Sequence, residues 1–317
     1  MLGGIKNFIK NSKLIRAIVP WIVIGVVGWF FYRTLASNWD KIGDISLSLN
    51  IGVVLGVVAF TLAVVVSGGL WGRMLGSLEG KNVSTIDAVR IHAASWLLKY
   101  VPGQVGSYLN KLAWGVKNGF SKRTISTSFL YENILMVVAG AVLSTPVLLL
   151  FTDKFGADIG VFIPLLMILP MLFVFSSKLF RWLLNLVTKV VKRKPFRESD
   201  FLSPGNVVRF QIGYLLPRLF NGVGFVLIVA AMLPVEPHMY VGLAATYILA
   251  GIVGLLALFV PGGIGVREAV IVLFLSVYFP VEQAIIVSLV ARFYATISDI
   301  GVALVYLVLN KGRIRQL

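Results

Sequence analysis

Long apolar stretches separated by short polar connectors fill most of the chain. Six of them reach the roughly 20 residues that a helix needs to cross a ~30 Å hydrocarbon core. They lie at 17–36, 51–70, 124–151, 157–176, 207–233 and 282–309. Two further apolar regions are interrupted. Pro102-Gly103 divides 88–101 from 104–116, and Pro261-Gly262-Gly263 divides 239–260 from 266–279. The strict alternation of a membrane barrel is absent. Lipid offers backbone groups no partner, so this pattern predicts an all-α polytopic membrane protein. Two segments stand out as polar: 71–87, and the long basic loop 177–206 with its cluster Lys192-Arg193-Lys194.

Composition agrees with this reading. Hydrophobic residues make up 58% of the chain and charged residues only 13%, too few to cover a water-soluble domain of this length. The formal net charge of +16 would raise nucleic acid as a partner for a soluble protein. Here it reads instead as the Lys and Arg that collect in cytoplasmic loops, and no nucleic-acid partner is expected. There is no cysteine, and His92 and His238 are the only histidines, so neither a metal site nor a cofactor is expected. The basic segment 1–16 leads into a stretch of full spanning length without a small-residue cleavage site, and reads as an anchor.

Charge also sets the orientation. With both termini cytoplasmic, and each Pro-Gly-broken pair entering and leaving on one side, nearly all loop Lys and Arg fall inside; only Lys41 and Lys154 fall outside. A single kinked crossing at 88–118 would place the 177–206 loop outside, against the rule. The limbs 88–101, 104–116 and 266–279 are short for complete crossings, which favours two re-entrant pairs beside the six spans.

The two breaks, Val-Pro-Gly-Gln-Val-Gly at 101–106 and Val-Pro-Gly-Gly-Ile-Gly at 260–265, align at a constant offset. The same offset lays the second span on the fifth and the third on the last. A single membrane domain, 1–317, therefore divides into halves 17–151 and 157–310, each with three net crossings. An odd number turns the second half upside down relative to the first. This is the inverted-topology repeat found in many transporters.

A helix that begins inside the membrane leaves its first N–H groups unpaired at the positive end of its dipole, where an anion is a natural partner. Gly103, Gly106, Gly262, Gly263 and Gly265 let backbone approach such a ligand closely. Water or nearby polar groups such as Gln104 and Ser107 would satisfy the same donors without a ligand. Charges inside apolar spans are costly and face the interior of a bundle. Arg218 in the fifth span, Arg292 in the last and Arg267 after the second break are candidate head-group ligands. Glu132, Glu268 and Asp299 are candidates for gating or for balancing the arginines when the site is empty. Glu132 falls close to Arg292 across the repeat, so a structural ion pair between the halves is the competing explanation. Arg209, Lys99 and Lys111 read as side chains that snorkel to the interface.

The stretch from Pro261 to Glu268, Pro-Gly-Gly-Ile-Gly-Val-Arg-Glu, followed by a span carrying Arg292, resembles the transmembrane region of lysylphosphatidylglycerol synthases and the stand-alone flippase-like proteins of that superfamily. The first break, with Glu132 in the next span, resembles that family's other signature. Asn133 and Asn110-Lys111 stand where the family usually has arginines. In two-part relatives a soluble aminoacyl-transferase domain follows the membrane region; here the sequence stops at Leu317.

The resemblance thus implies a non-enzymatic flippase of the cytoplasmic membrane. Its partner would be an anionic lipid: a phospholipid, a polyprenyl phosphate or a glycolipid linked to one. A homo-oligomer is compatible with such a bundle. Two other functions compete. An integral membrane transferase would need a base or metal site at the surface, for which only the scattered Asp40, Asp44, Glu79 and Asp87 are available. An ion-coupled transporter of a small anion would share the broken helices and the repeat.

Overall fold

The computed structural model describes residues 29, 32, 50–100, 104–155, 176–190, 195–257, 263 and 265–314. The expected spans at 17–36 and 157–176 therefore lie outside the described residues, as do the proline-glycine steps of both breaks, Gly103, Gly262 and the cluster 192–194.

Nine helices make up the described part: α1 Ile51–Glu79, α2 Thr85–Leu97, α3 Val105–Lys117, α4 Lys122–Phe155, α5 Ser177–Val190, α6 Pro204–Ala230, α7 Tyr240–Leu256, α8 Val266–Leu275 and α9 Val281–Ile314. Helical segments at Ile51–Glu79, Lys122–Leu149, Glu198–Ala230, Pro237–Leu256 and Val281–Lys311 are each long and apolar enough to cross a membrane. Four coincide with expected spans, and the fifth is the first limb of the second broken pair. By contrast α2 and α3 have 13 residues each and α8 has 10. At 1.5 Å per residue these reach only about 15–20 Å.

Two polar segments are more ordered than their composition suggests. Helix α1 runs through 71–79, and Trp71, Met74 and Leu75 are completely buried there. Glycines make that burial possible: a Cβ on Gly72 would run into Ala88, and one on Gly76 would meet the Lys81 carbonyl. Helix α1 starts on Asn50, whose side chain accepts from the Val53 amide at 3.1 Å and donates to the Ala231 carbonyl at 3.1 Å. It ends on Gly80 in the left-handed conformation, φ 65°. The basic loop 177–206 contains the helix α5. Phe180 is packed edge-on to Tyr131 and Phe201 there, while Trp182 stays exposed.

The helix packing has a regular plan. Helix α1 lies along α6, where Gly56 and Gly224 face each other so closely that a Cβ on either would meet the other's carbonyl oxygen within 3 Å. Small residues that let backbones approach are the usual means of packing helices in lipid. Helix α4 packs on α7, and α9 on α2; α4 packs on α6, and α9 on α1. The chain neighbours α2–α3 and α3–α4 touch, and so do α7–α8 and α8–α9. Exchanging α1 with α6, α2 with α7, α3 with α8 and α4 with α9 turns this set of contacts into itself.

One end of the bundle is tied by polar contacts. Lys81 donates to the Gly119 carbonyl at 2.8 Å, Glu79 accepts from the Ser121 amide at 3.3 Å, and Arg123 pairs with Asp200 at 3.0 Å. The Asn50–Ala231 contact closes the other end. Two apolar clusters account for most of the interior. One centres on Phe60, Phe225, Tyr247 and Leu275, the other on Trp71, Tyr131, Leu135 and Tyr214.

Candidate functional site

A cavity of about 180 Å³ opens where the two clusters meet. Phe60 and Tyr247 from the first cluster line it, as does Met136 from the fringe of the second. Its polar wall collects Lys99, Lys111, Arg218, Arg267, Arg292, His92 and Glu132. All three candidate arginines therefore share one space, together with Glu132 and Gly263.

Three ion pairs brace the wall. Lys111 on α3 donates to Glu132 on α4 at 2.5 Å, with both side chains buried. The same ammonium lies 4.5 Å from the centre of the Trp71 ring. His92 on α2 places Nδ1 3.2 Å from the other Glu132 oxygen. Asp299 on α9 accepts from Lys99 at 2.7 Å and from the Trp96 indole at 2.9 Å, tying the turn after α2 to the last helix. Glu268 at the head of α8 accepts from the Gly265 amide at 2.5 Å and stands 3.7 Å from Arg292.

These contacts correct three expectations. Lys99 and Lys111 do not reach for the interface. Each is held at the cavity by a carboxylate, and Lys111 is only 1% exposed. Glu132 pairs within its own half rather than with Arg292. The head of α8 is capped by its own Glu268, so the Gly265 amide already has its partner. Arg209, by contrast, is exposed near the start of α6, as expected.

The first break keeps its donors in a different way. Gln104 adopts a left-handed conformation, φ 56°, and provides no side-chain cap to α3. Gln104 and Ser107 line the cavity, and Gly106 lies in the first turn of α3. At the second break Gly263 has φ 67°, and a Cβ there would lie 2.9 Å from the Gly254 Cα. Both the backbone conformation and the close approach to α7 require glycine.

The remaining two arginines are set differently. Arg218 is buried and donates from Nε to the Met136 carbonyl at 3.1 Å. The Arg267 guanidinium lies 5.2 Å from the centre of the Tyr247 ring. Neither has a carboxylate within ion-pair distance among the described residues. Both lean on one stripe of α7, residues 247, 251 and 254. A Cβ on Gly251 would lie 3.5 Å from Arg218 Nη1, and one on Gly254 would collide with the Arg267 stem. Sequence reasoning missed Lys99, Lys111, His92, Tyr247, Gly251 and Gly254. The spacing of 247, 251 and 254 on one helical face was the available signal. Of the acids weighed for surface transfer chemistry, Asp40 and Asp44 lie outside the described residues, Glu79 pairs with Lys81, and Asp87 with Arg90. Among the described residues no three His, Cys, Asp or Glu side chains converge on a metal-sized site.

Residues 17–302 match the family described as Lysylphosphatidylglycerol synthase TM region, and the chain belongs to that family. The match is to the membrane region rather than to a catalytic domain. A search among curated proteins finds no match. With its long apolar helices this makes the chain a multi-pass protein of the plasma membrane, and family and helices together support a membrane transport role.

The Lys111–Glu132 pair generates a direct prediction. Lys111→Met leaves a buried carboxylate without its cation and is expected to cost about 3–5 kcal/mol, whereas adding Glu132→Gln removes the orphaned charge and recovers most of the loss. Thermal unfolding of the detergent-purified protein reads both. Wild-type unfolding of Lys111→Met would show that the pair contributes nothing.

Proposed function

We propose that the protein moves an anionic lipid, or a lipid-linked precursor, across the plasma membrane. The head group would pass through the cationic cavity while the tails remain in the bilayer. One observation carries this reading: a cavity inside a membrane bundle gathers five cationic side chains, two of which have no carboxylate partner among the described residues. Uncompensated charge in a low-dielectric interior is costly, and a site that keeps it is built to receive the opposite charge. Arginine suits this task because its planar fork matches phosphate oxygens. Arg218, Arg267 and Arg292 are assigned to the head group, with Gly263 and the first turn of α3 at Gly106 beside it. Glu132 and Asp299 hold Lys111 and Lys99 in place, and Glu268 balances Arg292 when the cavity is empty.

The mechanism that suits this arrangement is alternating access by an inverted repeat. The interchange of α1–α4 with α6–α9 preserves the helix contacts, as expected for two equivalent halves. The short lengths of α2, α3 and α8 favour re-entrant pairs, with both termini cytoplasmic. The polar ties among Lys81, Gly119, Ser121, Arg123 and Asp200 then all lie on the cytoplasmic face.

Two measurements test this reading. In proteoliposomes, wild-type protein should speed transbilayer movement of at least one anionic lipid. Arg218→Gln should slow it at least about tenfold, the loss of one charge-assisted contact of about 1.5–3 kcal/mol. No movement of any anionic lipid across a broad panel would sink the proposal. Topology can be mapped by single cysteines, since the native chain has none. Asn118→Cys and Gly205→Cys should react from the cytoplasmic side, and His238→Cys and Ser276→Cys from outside. Labelling of His238→Cys and Ser276→Cys from opposite sides would rule out a pair that returns to its own face.

A further inference from the structure

The charges around the cavity can be matched one by one. Glu132 answers Lys111, Asp299 answers Lys99, and Glu268 stands beside Arg292. Arg218 and Arg267 are left over. Their neighbours are a carbonyl, an aromatic ring and two glycines: Met136, Tyr247, Gly251 and Gly254. Gly251 and Gly254 are three residues apart on α7, so the Arg218 guanidinium and the Arg267 stem rest on sites about 5–6 Å apart on one helix face. Among the described residues, the structure therefore presents two neighbouring arginines with no carboxylate to answer their two charges.

We infer that the head group taken by this cavity carries two negative charges on a terminal phosphomonoester or a diphosphate. This inference rests on the lipid-translocation reading for its lipid tail, but the charge preference stands on the cavity alone. A phosphomonoester carries close to two negative charges near neutral pH and presents three acceptor oxygens. It can satisfy both arginines at once. A phosphodiester carries one charge and leaves one guanidinium unpaired in the membrane interior. An aminoacylated lipid, with its added ammonium groups, would bring positive charge to a site already in surplus. The Arg267 guanidinium lies 5.2 Å from the centre of the Tyr247 ring, and the glycines at 251 and 254 keep the stripe low enough for both side chains to lie on it.

The test uses the full chain in proteoliposomes at pH 8 and compares two lipids that share their tails. Phosphatidic acid is the dianion and phosphatidylglycerol the monoanion, with protein-free vesicles as the baseline for each. The expected result is movement of phosphatidic acid at least about tenfold faster than phosphatidylglycerol. In Arg267→Gln, checked for wild-type unfolding in detergent, the ratio should fall toward one. Polyprenyl phosphate should behave like phosphatidic acid. Equal or faster movement of phosphatidylglycerol in the wild type overturns the inference and leaves lipid translocation standing.

A second arm measures uptake of inorganic diphosphate. If no lipid moves but diphosphate enters, with Arg267 required, the preference for a multiply charged phosphate holds and the lipid reading falls. If neither lipid nor diphosphate moves, both fall. The wild-type lipid ratio decides the matter even where Arg267→Gln fails to fold.

Discussion

A charge held inside a membrane bundle must be answered by an opposite charge, and most of this structure is arranged around that constraint. Three of the five cavity cations are answered by carboxylates, each from a different helix or break. Those three pairs brace the wall: Lys111 and Glu132 join α3 to α4, Glu268 and Arg292 join α8 to α9, and Lys99 and Asp299 join the first break to the last helix. Desolvation removes much of the value of such pairs as sources of stability. Their stronger effect is on position, because a displaced partner would leave a bare charge in the interior. The braced wall then holds Arg218 and Arg267 in place without neutralising them.

The Lys111–Glu132 and Glu268–Arg292 pairs differ in the placement of their charges. Both link the limb after a break to the helix that follows. In the first half the limb supplies the cation and the long helix the carboxylate; in the second half the signs are exchanged. The heads of the two limbs differ as well. Glu268 caps α8 with its own carboxylate, whereas α3 begins at Gln104 without a side-chain cap and faces the cavity. Matched helix packing with unmatched chemistry gives one cavity with distinct walls rather than two copies of one site.

Much of the architecture was legible in the sequence. Apolar runs of spanning length placed α1, α4, α6 and α9, because length and hydropathy are what a bilayer selects. The Pro-Gly steps located both breaks, and intramembrane charge singled out Arg218, Arg267 and Arg292. Partners across the bundle were not legible. Lys99 and Lys111 sit beside a break, where a long cationic side chain has two outlets, the interface or the interior. Only the placement of Asp299 and Glu132 decides between them. Glu132 was matched to Arg292 by sequence offset, yet the carboxylate turns to the nearer Lys111. Helix α5 was missed because a basic, polar connector and an amphipathic helix lying on the bundle have similar composition. Gly251 and Gly254 were lost among the many small residues of an apolar helix, since their role appears only when the arginine stems lie against them.

The central claim is that Arg218 and Arg267 together receive the head group of an anionic lipid. An experimental density map of the protein in a bilayer of anionic lipid tests it most directly. Phosphate density is expected within hydrogen-bond distance of both guanidinium groups, with acyl density leading from it into the bilayer. Head-group density confined to the rim, with only water between the two arginines, would contradict it.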